Sequence, residues 1–316
     1  MKTARTGSDE MGEAKEATSR ARALQRHCSP GGHEPVDSVL AHGPRTAIGQ
    51  FRCPTDHPSF RDTGPISECL VVFPRTSVWI RHEGSQPFLA DSTVATIYNR
   101  GQLYERFPLA DDGDRCDWFS VDDDLAREIA GNLDPDAGDS CRPFRFEWTA
   151  TSPDLYYRQR ALLARVRRGA LDVLAMEEGV MDIVAEVLAL AYRRPVTPIR
   201  RTVTGARRRE LVAATRVELA RALHANESVH DIARRLETSP FHLCRVFREC
   251  TGQTMHEYRT QLRVRHSLER LEVVGGDVAR LSAIACDLGF ASHSHYVRAA
   301  RRHFGATPSA MRGVLA

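Results

Sequence analysis

Two stretches near the C-terminus decide the fold: IARRLETSPFHLCRVFRECTGQTMHEYR (residues 232–259) and IACDLGFASHSHYVRAARRHFGATPSAMR (residues 284–312). Ile232, Ala233 and Leu236 recur as Ile284, Ala285 and Leu288, shifted by 52. Arg245, Gly252, Thr254 and Arg259 recur as Arg298, Gly305, Thr307 and Arg312, shifted by 53. The additional residue falls between the two helices of the second copy, at Gly289-Phe290-Ala291. Each copy therefore reads as helix, short turn, helix. Ser228 to Asp231 is a capping-box start, because a serine hydroxyl and an acid three residues on satisfy each other's orphan backbone donors. Ser239-Pro240 supplies an N-cap and an N1 proline for a second helix that runs to about Cys250 and stops before Gly252. In the other copy Leu281–Leu288 is the first helix, with Gly289 at its C′ position, and Ser292–Phe304 is the second, stopped by Gly305. Thr307-Pro308 opens a short final helix.

Between the copies, Thr254 and Glu257 form another capping box, and Gly275-Gly276 ends the helix they open. At 1.5 Å per residue, about 19 residues span roughly 28 Å. That length lets two second helices enter successive major grooves, about 34 Å apart on one face of DNA. Leu243, Phe247 and Cys250, then Tyr296, Ala300 and Phe304, are the expected core faces. The opposite faces carry Phe241, Cys244, Arg245 and Arg248 in one unit, and His293, Ser294, Val297, Arg298 and Arg301 in the other. Arginine beside small, polar and apolar side chains suits base edges and thymine methyls.

Charge follows the same division. Residues 205–316 hold 18 arginines against 11 acids, a net +7, while residues 1–204 are net −4. A basic third joined to a mildly acidic remainder points to a polyanion partner for one domain. Lys2 and Lys15 are the only lysines. A coding bias accounts for much of that, although the arginine fork also suits phosphate and guanine.

At 316 residues the chain has room for about two domains. Residues 1–38, rich in charge, Gly, Ser and Pro, read as a disordered tail; His27, Cys28 and His33 there are too few for a structural zinc site. Residues 39–150 read as β-rich, with strand signals at Cys69–Phe73, Val78–Ile80, Thr93–Tyr98 and Cys116–Val121, and an antiparallel sandwich or small barrel is expected. Helices are expected at Tyr156–Arg168 and along the face Val180, Ile183, Val184, Val187, Leu188 and Ala191. That 151–194 segment packs either on the β-domain or against a second copy. Residues 195–204, with two prolines, read as a linker, and 205–316 as the DNA-binding domain.

The GF–SH–R–FG–TP series then identifies a family: residues 228–316 resemble the DNA-binding domain of the AraC/XylS transcriptional regulators. The resemblance implies seven helices and sequence-specific promoter binding. By position it assigns base reading to Phe241, Cys244, Arg245, His293, Ser294, Val297 and Arg298. Backbone contacts are expected from Ser239, Arg248, Ser292 and Arg301. The segments VVFPRTSVWIRHEG and YNRGQLYERFPLADDGDRCDWFSV resemble the sensory domain of some of these regulators. They imply a cupin-like β-barrel holding a small-molecule effector, followed by helices that dimerise in relatives. The expected partners are double-stranded promoter DNA, that effector, a second copy of the chain and RNA polymerase. The expected location is the cytoplasm, at the nucleoid when DNA-bound, with no membrane contact.

Rival readings keep specific tests. Metal-dependent cupin chemistry needs His-x-His with Glu and a further His. The only His-x-His is His293-Ser294-His295, while His42, His57 and His82 stand apart, so no catalytic role, metal or cofactor is expected. A redox-sensing regulator would use Cys53, Cys69, Cys116 or Cys141. A non-specific architectural binder would hold promoter and random DNA equally.

Overall fold

The computed structural model describes residues 35–193, 203–273 and 278–315. The expected tail therefore lies mostly outside the described residues, as do His27, Cys28 and His33, nearly all of the expected linker, and Gly275-Gly276. Residues 36–38 are not tail. They open β1 (Val36–His42), where Val36, Asp37 and Ser38 pair with Arg52, Phe51 and Gln50 of β2 (Thr46–Cys53).

The front half continues with β3 (Asp62–Thr63), β4 (Cys69–Pro74), β5 (Val78–His82), β6 (Phe88–Ala90), β7 (Val94–Tyr98), β8 (Tyr104–Pro108) and β9 (Asp114–Val121). Two short helices, α1 (Asp123–Gly131) and α2 (Pro135–Gly138), precede β10 (Trp148–Ala150). The expected strands are all present. They form two antiparallel sheets, ordered β1-β2-β9-β4-β7-β10 and β3-β8-β5-β6. The sheets face each other without closing, so the barrel expectation is corrected to a two-sheet sandwich. Six strands against four, with short β3 and β6 at the edges of the smaller sheet, leave no continuous ladder to close a cylinder.

Strand alternation assigns the two faces of the larger sheet. On one face Ile48, Val71, Phe73, Ala95, Ile97, Phe119 and Val121 enter a core shared with helices. On the other, Leu70, Val72, Cys116, Trp118 and Ser120 face a cavity between the sheets. The covering helices are α3 (Pro153–Arg167), capped by Ser152, and α4 (Val173–Arg193). All six expected face residues of α4, Val180 through Ala191, are at most 2% exposed and pack within the chain. That settles the packing alternative for this face: it is occupied in cis.

The C-terminal part contains seven helices among the described residues: α5 (Val203–Arg221), α6 (Val229–Arg235), α7 (Pro240–Thr251), α8 (Met255–Val273), α9 (Val278–Asp287), α10 (His293–Phe304) and α11 (Pro308–Leu315). Local chemistry explains the boundaries. Ser228 and Asp231 close both halves of the capping box, and Thr254 and Glu257 do the same ahead of α8. Gly252 and Gly305 end α7 and α10 at φ +75° and +73°, a left-handed backbone that costs glycine no Cβ clash. The connector α8 has 19 residues.

The two repeat units are packed differently. The first has a core of its own, built on Leu219, Ile232, Leu243, Phe247, Tyr258 and Leu262. The second has its core fused with that of the front half, so Ile284, Leu288, Tyr296 and Ala300 continue into α3 and α4. Phe304 of α10 lies 5.7 Å from the Tyr157 ring of α3.

Candidate nucleic-acid interface and inner cavity

Helices α7 and α10 each divide into a buried and an open face. In α7, Leu243, Val246 and Phe247 are buried, whereas Phe241, Cys244, Arg245 and Arg248 are exposed. Cys250, expected in the core, is exposed. Val246 takes its place on the buried arc, and the last turn, where Cys250 sits, runs beyond the core. In α10, Tyr296, Ala299 and Ala300 are buried and Phe304 is half-buried. Ser294, Arg298 and Arg301 are exposed, while His293 and Val297 are half-buried. The N-caps Ser239 and Ser292 are exposed, and their hydroxyls accept from the amides of His242 (3.2 Å) and His295 (3.1 Å). Every proposed base-reading or backbone-contacting residue thus lies on α7 or α10 or at its start. Phe241 is 79% exposed.

The arginines sort by what they touch. The side chains of Arg245, Arg248, Arg298 and Arg301 make no ion pair or hydrogen bond among the described residues. Others are structural. Arg263 of α8 donates to the carbonyls of Leu223 (2.7 Å), Ala225 (2.7 Å) and Gly289 (2.8 Å), tying the connector to a turn of each unit. Gly289 has φ +72°, and a Cβ there would fall 2.7 Å from both the His224 carbonyl and the Arg263 guanidinium, so glycine is favoured at that turn. Arg259 donates to the carbonyl of Glu227. The repeat alone could not make this division, since Arg245 and Arg259 both recur.

The family described as "Helix-turn-helix domain" matches residues 232–313, which hold both units and the connector. This is an AraC-type helix-turn-helix domain. It marks the chain as a DNA-binding transcription regulator. No curated protein matches the sequence. Among solved structures, ToxT from Vibrio cholerae O395 is 13% identical, over 86% of this chain and 99% of that one, at a TM-score of 0.35. ToxT from Vibrio cholerae strain SCE256 with a bound unsaturated fatty acid is 11% identical, over 87% and 97%, at 0.35. A regulator from Chromobacterium violaceum, described as containing an AraC-type DNA-binding domain, is 23% identical over 35% and 96%, at 0.32.

The AraC-type domain is held to the front half by two buried polar contacts that sequence reasoning missed. In the first, Glu269 and Glu272 of α8 meet Arg75, Arg160 and Asp117. Arg160 is fully buried; its Nη1 lies 2.5 Å from Glu269, its Nη2 pairs with Glu272, and Asp117 lies 3.9 Å away. Arg75 reaches Glu269 at 2.6 Å, Glu272 at 2.8 Å and Asp117 at 3.6 Å. Burial alone would raise the Glu269 pKa, but the adjoining Arg160 and Arg75 reverse this and hold it at about 2. In the second contact, buried Asp91 accepts from Arg216 of α5 at 3.0 Å and from the Tyr258 hydroxyl. Arg265 donates to the carbonyls of Ser92 (2.5 Å) and Thr151 (2.9 Å). A signal existed: Glu269 and Glu272 sit at i, i+3, one face of a helix. Nothing in the sequence distinguished that pair from a solvated one.

Between the two sheets lies a cavity of about 510 Å³. Trp118 lies over Gly49 and donates its indole N–H to Asp37 at 2.8 Å. Burial pushes the Asp37 carboxyl up to about 6, partly countered by that bond. The expected redox candidates are poorly placed for thiolate chemistry. Burial raises the thiols of Cys53, Cys69 (to about 11) and Cys116, and a thiol held protonated is a weak nucleophile. Cys141 is exposed. No helix among the described residues is long and apolar enough to cross a membrane.

Proposed function

We propose that the protein is a sequence-specific, effector-responsive transcription regulator that reads two successive major-groove half-sites with α7 and α10. The observation that carries this reading is the pair of open faces. Arg245 and Arg298 stand at equivalent positions of two units, unpaired, on either side of a connector about 28 Å long. Phe241, Cys244, His293, Ser294 and Val297 complete the base-reading faces. Ser239, Ser292, Arg248 and Arg301 hold phosphates, since helix N-termini and unpaired arginines both favour anions.

The effector site is the inter-sheet cavity, and β9 links it to the AraC-type domain. Alternate residues of this strand point to opposite faces. Cys116, Trp118 and Ser120 line the cavity, while Asp117 between them lies against Arg75 and Arg160, which grip Glu269 and Glu272 of the connector. A ligand that displaces Trp118 shifts Asp117 and changes how firmly α8 is held. Such coupling is worth about 1–3 kcal/mol in typical allosteric proteins. The protein acts in the cytoplasm, on nucleoid DNA. A homodimer would use a surface other than the apolar face of α4, which is already covered, and RNA polymerase is a further partner of a bound regulator.

The test compares three variants on selected and random DNA across a salt series. Arg245→Ala and Arg298→Ala each lose about 10-fold or more on the selected site and relax preference at one base position. Arg248→Ala weakens all DNA alike and flattens the salt slope by about one unit. If the three behave identically, the base-reading assignment is wrong.

A further inference from the structure

The lining of the inter-sheet cavity is unbalanced in charge. Its one arginine, Arg106, is 1% exposed and already committed. Its Nη1 lies 2.6 Å from Asp114, its Nε donates to the carbonyl of Phe60 at 3.2 Å, and the Phe51 ring covers it at 4.5 Å. Two further carboxylates line the same space without a cation. Asp37 accepts from the Trp118 indole at 2.8 Å, and Glu68 accepts from the Ser120 hydroxyl at 2.7 Å. Neither makes an ion pair among the described residues. The two acceptors stand on opposite sides of β9: Asp37 on β1, beyond β2, and Glu68 immediately before β4.

The rest of the lining combines aromatic and aliphatic side chains with the polar ones of His57, Ser59, Thr63, Ser67 and Thr96. Tyr98, Tyr104 and Trp118 offer ring surface; Leu70, Val72 and Ile80 offer an apolar floor. His82, which follows Val78 and Ile80 on the inward face of β5, supplies no positive charge. It is 2% exposed, its ring lies 4.7 Å from that of Tyr98, neither ring nitrogen has a partner, and burial holds it neutral, with a pKa of about 4.

Resting on the reading of this cavity as the effector site, we infer that it selects an organic amine: a protonated ammonium held at one of the two carboxylates, Asp37 or Glu68, with an apolar or aromatic body against Trp118, Tyr98 and Leu70. An ammonium supplies the donors that two under-used carboxylates lack, and the ring faces add cation–π attraction. A carboxylate ligand would find the only guanidinium of the lining already paired and two carboxylates facing it. A cavity of about 510 Å³ falls in the usual range for small-molecule sites and admits a body of one or two rings.

The experiment titrates the purified full chain with three probes of one shape: 3-phenylpropylamine, 3-phenylpropan-1-ol and 3-phenylpropionate, followed by calorimetry and tryptophan emission. The amine is expected to saturate one site at least 10-fold more tightly than the alcohol, and the carboxylate not to bind. The double variant Asp37→Asn with Glu68→Gln keeps both acceptors for Trp118 and Ser120, and is expected to erase the amine preference while leaving alcohol affinity unchanged. Carboxylate binding as tight as the amine, an amine preference that survives the double variant, or no amine binding up to millimolar concentration each overturns the inference. The wild-type panel decides the matter even if the double variant does not fold. DNA affinity is measured separately. An amine that binds the cavity without changing DNA affinity upholds the charge selection and refutes the effector reading.

Discussion

Arg160 is the residue on which the contact between the two halves depends most, and Arg160→Met tests it. The guanidinium is fully buried among Glu269, Glu272 and Asp117. Methionine keeps much of the stem volume but provides no donor. The three carboxylates would then share buried Arg75, with only the partly exposed Arg115 and Arg167 at the rim, 3.4 Å from Glu269 and 3.3 Å from Glu272. Removing one partner of a buried ion pair costs about 3–5 kcal/mol, chiefly because uncompensated charge stays behind. For 316 residues the unfolding entropy is about 0.6–0.7 kcal/mol per degree, so the expected drop in Tm is roughly 5–8 °C. Differential scanning calorimetry of the full chain reads it. Arg127→Met is the control, because Arg127 pairs on the surface with Asp124, and exposed pairs are worth about 0–1 kcal/mol, or under about 2 °C. Should Arg160→Met melt within 2 °C of wild type, the cluster is a solvated network and does not clamp α8. The same variant has a functional readout: a connector released from the front half should respond less to cavity occupancy.

Acid should loosen the same contact. The Glu269 carboxyl titrates at about 2 in the folded chain against an ordinary 4.5, so the stability it contributes is complete above pH 4.5 and is lost as pH falls from 4.5 towards 2. That difference corresponds to about 3 kcal/mol; denaturant midpoints measured at pH 6, 4 and 3 should show this fall, and Arg160→Met should flatten it. Gly49→Ala tests the cavity wall. A Cβ there would lie 2.3 Å from both the Ser38 carbonyl and the Trp118 ring, so β1 or the indole must move. The expected cost is about 1–3 kcal/mol, with a shift in tryptophan emission, and an unchanged spectrum would show that Trp118 is not seated as described.

The sequence was sufficient wherever the deciding chemistry is local. Ser228 with Asp231, Thr254 with Glu257, and Gly252 and Gly305 set helix ends by bonds and backbone conformations spanning three or four residues, so they can be read without a partner segment. The duplication, the connector length and the open faces of α7 and α10 followed from helical periodicity. Cys250 shows the limit of that reasoning, because periodicity gives the direction of a side chain but not where the core beneath it ends. Strand alternation likewise located β4, β5, β7 and β9 but not their closure, which depends on how many strands each sheet recruits. The tertiary structure alone decided which arginines are free and which are structural, since Arg160, Arg263 and Arg265 find their partners 26 to 173 residues away. It alone placed Asp37, Glu68 and Trp118 around one cavity, and made β9 a strand with the cavity on one side and the connector's carboxylates on the other. Electrostatic pairing and cavity formation depend on distance in space, and the order of residues along the chain carries no record of that distance.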